Sequence, residues 1–133
     1  MIFLDANVIL RFILDNDPHL SPKAKAIFEK IDRGEIKVDV TLLTISEVAF
    51  TLERSYKLLK SEITDRVLGL IKSPNINFEK HDLLPKILIL YVEKNISFID
   101  AYHAVLMNKN KIKKIYSFDR DFDKISTIQR LEK

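Results

Sequence analysis

Four acids stand where this chain could do chemistry: Asp5, Glu47, Asp100 and Asp119. Asp5 closes the apolar run from Met1 to Leu4, and Asp119 closes the run from Lys114 to Phe118. Glu47 follows Thr44-Ile45-Ser46 and Asp100 follows Ser97-Phe98-Ile99, each just inside a segment with helical apolar spacing. Carboxylates gathered in one pocket repel by about 4 kcal/mol per close pair at an effective dielectric of 20, so they must take up protons or share cations. The chain has no cysteine, which leaves oxygen and imidazole as donors, and oxygen donors select hard ions such as Mg²⁺ or Mn²⁺. Such ions keep bound water and grip phosphate oxygens. A metal-bound water is a nucleophile for in-line attack at phosphorus, so the natural substrate is a phosphodiester.

Whether the acids meet depends on the elements that carry them. Met1 to Leu4 reads as a buried strand and Asn7 to Leu14 as a short helix. Ser21-Pro22 is a helix start and Gly34 a stop, with Ala24, Ile27, Phe28 and Ile31 on one face between them. Ile36 to Thr41 alternates apolar and polar residues as a second strand. Thr44 opens a long amphipathic helix reaching Lys60, with Ile45, Val48, Ala49, Leu52, Tyr56 and Leu59 along its stripe. Ser61 caps a further helix that stops at Ser73-Pro74, and Asn75 to Glu79 is a short strand. Asp82 caps a helix to about Asn95, apolar almost all round, and Ser97 caps another to about Asn110. After the strand Lys114 to Phe118, residues 120–133 close the chain.

Apolar strands alternating with helices predict an α/β fold, a parallel sheet with helices on both faces. Ligands of such sheets sit outside the carboxyl ends of the strands. Asp5 and Asp119 then come to one edge, and Glu47 and Asp100, in the first turns of their helices, belong to that same edge.

A length of 133 residues suits one domain, 1–133, able to bury a core. Only two Gly and four Pro occur, and no repeat or linker is visible. Hydrophobic residues at 47% and charged residues at 31% exclude disordered and collagen-like classes. The longest apolar run, Ile87 to Val92, is far short of the roughly 20 residues a membrane span needs. Asp5 interrupts the apolar start, which is unlike a signal peptide, so a cytoplasmic protein is expected. The net charge of +3 is too small to argue nucleic-acid binding alone. Two bound Mg²⁺ would raise it to +7, however, and Arg11, Arg54, Lys57, Lys60 and the cluster from Lys109 to Lys114 are available to a polyanion.

Each feature also has a plainer explanation. Thr44-x-x-Glu47 and Ser97-x-x-Asp100 fit capping boxes, Asp5 fits a strand-end turn, and Asp119 with Asp121 and Asp123 fits a polar loop. The alternation of Asp119, Asp121 and Asp123 imitates the start of a calcium loop, but no Gly or closing Glu follows. His103, one turn after Asp100, reads as a partly buried, hydrogen-bonded histidine rather than a ligand.

The set as a whole resembles a known family. Phe3-Leu4-Asp5-Ala6-Asn7, Ser46-Glu47, Phe98-Ile99-Asp100-Ala101 and Ser117-Phe118-Asp119-Arg120-Asp121-Phe122 resemble the PIN-domain family, in particular the VapC-type toxin ribonucleases of prokaryotic toxin–antitoxin pairs. The match runs from Asp5 to Phe122, with all four acids in order. The resemblance implies a three-layer α/β/α sandwich on a parallel, Rossmann-like sheet and an Mg²⁺- or Mn²⁺-dependent endoribonuclease activity. It implies Asp5 and Asp100 as principal metal ligands, Glu47 as a metal ligand or the group that orients the attacking water, and Asp119 completing the cluster. Asp121 is placed to take or share the role of Asp119, and Asn7 and Ser117 to position water or substrate. Arg11 and Arg120 are candidates for phosphate contact. Partners implied are RNA, a cognate antitoxin protein and a second copy of the chain in a homodimer, with the helices from Thr44 to Lys60 and from Asp82 to Asn95 as the suspected protein surfaces. Two other readings are a PIN-like RNA- or protein-binding module without turnover, and a phosphorelay receiver domain. The receiver lacks its acidic pair, since Ala6 stands beside Asp5.

Overall fold

Short strands and helices with one apolar face build the protein, seen here as a computed structural model that describes residues 2–79 and 81–133. The chain divides into two compact units, Met1–His81 and Asp82–Lys133.

In the first unit the order is α1 (Ala6–Leu14), α2 (Leu20–Asp32), β1 (Val38–Val40), α3 (Leu42–Arg54), α4 (Lys60–Ile71) and β2 (Ile76–Phe78). The second and third expected strands are present, shortened to these cores. β1 and β2 pair in parallel, Val38 opposite Ile76 and Val40 opposite Phe78. Those four side chains are buried on one face, while Asp39 and Asn77 share the other, where the Asn77 amide donates to the Asp39 carboxylate at 2.7 Å. Of the first expected strand, Met1 lies outside the described residues. The rest joins β1 by a single parallel bridge from Phe3 to Asp39, with Leu4 N–H on Asp39 O at 3.0 Å and Asp39 N–H on Ile2 O at 2.7 Å.

The helix starts correct several expectations. The α2 start is not capped by Ser21, which lies one residue inside the helix, buried, donating to Arg11 O at 2.8 Å. Asp17 does the capping, its carboxylate accepting from Leu20 N at 2.7 Å and His19 N at 2.9 Å. Those two bonds hold the Asp17 carboxyl below its ordinary value. Thr41, not Thr44, caps α3, its hydroxyl accepting from Thr44 N at 3.2 Å. That helix stops at Arg54, short of Lys60. Lys57 then takes a positive φ of 58°, and Tyr56 and Leu59 lie outside the helix and are exposed. Ser61 lies inside α4, whose cap position is Leu59 with no side-chain bond.

In the second unit α5 (Leu84–Glu93), α6 (Phe98–Lys109) and β3 (Lys114–Tyr116) lead to a 3-10 helix, Arg120–Lys124, and to β4 (Gln129–Leu131). β4 was not expected; it pairs in parallel with β3, Lys114 opposite Gln129 and Tyr116 opposite Leu131. α5 begins after Leu83 with Pro85 in its first turn, so Asp82 is no cap and instead pairs with Lys109 at 3.6 Å. Nor is α5 buried all round: Leu84, Ile87, Leu88 and Tyr91 are, whereas Ile89 is 53% exposed. Ser97 caps α6 as expected. The Tyr91 and Phe98 rings pack in a T, centroids 6.1 Å apart, and tie the two helices. Among the described residues no helix is long and apolar enough to cross a membrane.

Two glycines make opposite demands. Gly34 ends α2 with φ +73°, donating to Ile31 O at 3.0 Å while Glu35 N–H reaches back to Lys30 O at 2.9 Å. Gly69 sits inside α4 with open space where a Cβ would be. Gly34→Ala is expected to lower stability by about 1–2 kcal/mol, the cost of an L side chain in the left-handed region. Gly69→Ala is expected to raise it by about 0.5–1 kcal/mol. Urea unfolding of the two variants checks both signs.

Candidate metal centre

Asp100 is the third residue of α6. Ser97 stands extended before the helix and its hydroxyl accepts the Asp100 backbone N–H at 3.1 Å, which fixes the first turn. The capping explanation of Ser97-x-x-Asp100 is therefore true of Ser97 and does not use up the Asp100 carboxylate. Asp119 follows β3 by three residues. It is held from both sides: its N–H donates to Ser117 Oγ at 3.0 Å, and its Oδ1 accepts from Asp121 N at 2.9 Å, turning the chain into the 3-10 helix. Phe122, buried, anchors that helix to the unit.

These constraints bring Asp100, Asp119 and Asp121 together, one carboxylate oxygen from each lying within 4.8 Å of the others. Both of the acids between which the sequence left a choice are thus present. Asp100 and Asp121 are half-buried and Asp119 is exposed. Burial is the largest cause pushing the Asp100 carboxyl above its ordinary value of 3.8, and the close Asp119 carboxylate adds to it; Ser97 pulls it down and the Asp121 charge raises it further. Among the described residues a lysine meets the cluster. Lys124 Nζ sits 3.1 Å from Asp121 Oδ1 and donates to Asn95 O at 3.2 Å.

The donor set fits a hard divalent ion. It is all oxygen, with one oxygen from each of the three carboxylates within 4.8 Å of the others. Among the described residues no histidine joins it. His103 is exposed, contrary to the expectation of a partly buried ring, and stacks at a tilt on Tyr102 at 5.7 Å.

Asp5 and Glu47 belong to the first unit. Asp5 is exposed at the N-cap position of α1, yet its side chain makes no capping bond; only its carbonyl receives Val8 and Ile9 N–H groups. Glu47 is exposed at the sixth position of α3, one turn later than the first-turn position the sequence suggested. A capping box with Thr44 is excluded, because Thr41 is the cap. Asp5 also lines a small hollow with Phe3, Asp39, Thr41 and Thr44. Asn7 is exposed on α1. Arg11 is half-buried, donating to the Asn16 side chain at 3.2 Å, with its Nε buried and without a partner among the described residues. Arg120 is exposed, and its charge falls on Glu132.

Sequence reasoning missed Arg130. Its side chain is only 11% exposed and donates to both oxygens of Asp123, at 3.0 and 3.3 Å, to the Ser117 carbonyl at 3.0 Å, and to Glu132. Nothing in Gln129-Arg130-Leu131-Glu132 distinguishes it from a solvated tail.

Comparison with known proteins agrees with the sequence reading. A family model of the PIN domain matches residues 2–128. A VapC ribonuclease of Aquifex aeolicus (strain VF5) is 26% identical over 125 residues, which span 94% of this chain and 92% of that protein. Among solved structures, the Mycobacterium tuberculosis toxin VapC20, described as cleaving the sarcin-ricin loop, is 20% identical over 95% of each chain with a TM-score of 0.45.

The raised Asp100 carboxyl makes a prediction about the metal-free protein. A carboxyl raised on folding binds more protons in the folded state, so its contribution to stability falls as pH rises through the interval above 3.8. Asp100→Asn is therefore expected to melt higher than the parent at pH 7 in the presence of a chelator. The difference should shrink toward pH 3. Thermal melts at the two pH values check it.

Proposed function

Because the chain belongs to the PIN-domain family, we propose that it is a divalent-metal-dependent endoribonuclease that hydrolyses RNA phosphodiesters, acting as the toxin of a toxin–antitoxin pair. The observation that carries this reading is the convergence of Asp100, Asp119 and Asp121 in a chain that matches the family model over residues 2–128. The VapC ribonuclease of Aquifex aeolicus, similar along nearly the whole chain, supports the substrate class.

Asp100, Asp119 and Asp121 are the residues that would hold Mg²⁺ or Mn²⁺, the ions their hard oxygen donors favour. When bound, such an ion supplies charge for the phosphate oxygens and a more acidic water for attack. The rest of the work falls to the chain. Ser97 and Ser117 fix the backbone of Asp100 and Asp119, so neither carboxylate has to be ordered when substrate arrives. Lys124 offsets part of the negative charge at Asp121, which keeps the cluster tolerable before a cation arrives. Asp5, as a cation-binding carboxylate, and Glu47, as the group that orients water, are assigned to the same reaction by the family pattern. Their exposure, and the absence of a capping role for the Asp5 side chain, are consistent with that assignment. Asn7, Arg11 and Arg120 are proposed as contacts to water or phosphate. The protein partners proposed are a cognate antitoxin and a second copy of the chain, in the cytoplasm.

The test is cleavage of a panel of structured RNAs by the purified, antitoxin-free chain with Mg²⁺ or Mn²⁺. Cuts are expected that vanish with chelator and fall by about a hundredfold or more in Asp100→Asn and in Asp5→Asn, since losing a ligand costs more than losing a supporting residue. Cuts that persist in both variants would overturn the assignment. A metal-binding chain that cuts nothing would instead be a binding module of the same fold.

A further inference from the structure

Two of the three clustered acids sit on a loop whose two ends meet on one side chain. Ser117 begins the loop and Asp123 ends it. The Arg130 guanidinium donates to the Ser117 carbonyl at 3.0 Å and, through a two-pronged contact, to the Asp123 carboxylate at 3.0 and 3.3 Å. Arg130 itself cannot wander. It lies in β4, locked in register by Ile115 opposite it on β3, and Ser117 N–H continues that pairing onto Leu131 O at 3.1 Å. A planar guanidinium holding a carboxylate in a fork sets direction as well as distance, which an ammonium does not.

We propose that Arg130 is a positioning residue for the metal centre, spanning the loop from Ser117 to Asp123 so that Asp119 and Asp121 are held facing Asp100 before any cation binds. The mutual repulsion of the three carboxylates acts to spread this loop, and the guanidinium opposes the spreading by joining its two ends, at Ser117 and Asp123. Glu132 is the third partner of Arg130 but lies outside the loop, so it contributes to anchoring Arg130 and not to the span.

The inference rests on the metal-centre reading, and the experiment separates the two. Mn²⁺ binding by the full chain is measured calorimetrically for the parent, Arg130→Lys, Arg130→Gln, Asp123→Asn and Glu132→Gln, each with a thermal melt. Outer residues that orient metal ligands typically contribute about 10–100-fold to affinity. Arg130→Gln and Asp123→Asn are expected to weaken Mn²⁺ binding by about tenfold or more, with Arg130→Lys restoring only part of the loss. Glu132→Gln removes the same charge as Asp123→Asn and is expected to bind like the parent. In RNA cleavage the loss should be recovered by raising Mn²⁺. Should Arg130→Gln fail to fold, Asp123→Asn decides alone, because Asp123 is half exposed and breaks the span from its outer end. Parent-like affinity in folded Arg130→Gln and Asp123→Asn, or an equal loss in Glu132→Gln, overturns the proposal and leaves Arg130 as a stability element. A parent chain that binds no Mn²⁺ overturns the metal-centre reading itself.

Discussion

Like charges at close range are the constraint from which the second unit is best understood. Two carboxylates 4 Å apart repel by about 4 kcal/mol at an effective dielectric of 20, comparable to a large part of the stability of an ordinary domain. A chain left to itself would relieve that repulsion by letting the loop after β3 swing away from α6. It does not, because the backbone N–H of each acid is held by a side-chain oxygen nearby. Asp100 is fixed by the Ser97 cap, Asp119 by Ser117, and Asp121 by the turn that Asp119 itself closes. The Asp100 carboxyl is raised first by its burial and then by the neighbouring Asp119 carboxylate.

Where the surrounding charges go follows from the same constraint. Among the described residues two cations beside the loop are committed to carboxylates at its edge: Lys124 to Asp121, and Arg130 to Asp123 and Glu132. Asp123, third in the alternating Asp119, Asp121, Asp123 series, is thereby paired with Arg130 and lies outside the cluster of three. The acids left facing one another are those that suit a small hard ion.

The α/β class, the parallel pairing and most helices were legible in the sequence, because alternation and helical periodicity report burial directly. Val38 and Val40 bury one face of β1, and Ile45, Val48, Ala49 and Leu52 bury one stripe of α3. Helix starts were less legible. Ser21, Thr44, Ser61 and Asp82 all look like caps, yet a polar residue in the first turn or just before it has the same appearance as one at the cap, and only Ser97 held the position. β4 was invisible because Gln129, Arg130 and Leu131 are polar or only partly buried, with none of the alternation a core strand shows. Of the candidate site, Asp100 was readable from where a helix starts and Asp119 from where a strand ends, and the 3-10 turn brings Asp121 to the same side. Arg130 was not readable, since its partners come from residues 117, 123 and 132 and are defined only after β3 and β4 pair.

If a divalent cation belongs between Asp100, Asp119 and Asp121, anomalous diffraction from crystals soaked in Mn²⁺ will find it there. The expected result is a manganese peak within bonding distance, about 2.0–2.3 Å, of at least two of these three carboxylates, with Lys124 remaining outside the coordination sphere. A fully occupied peak elsewhere, or no peak while Lys124 stays against the acids, would contradict it.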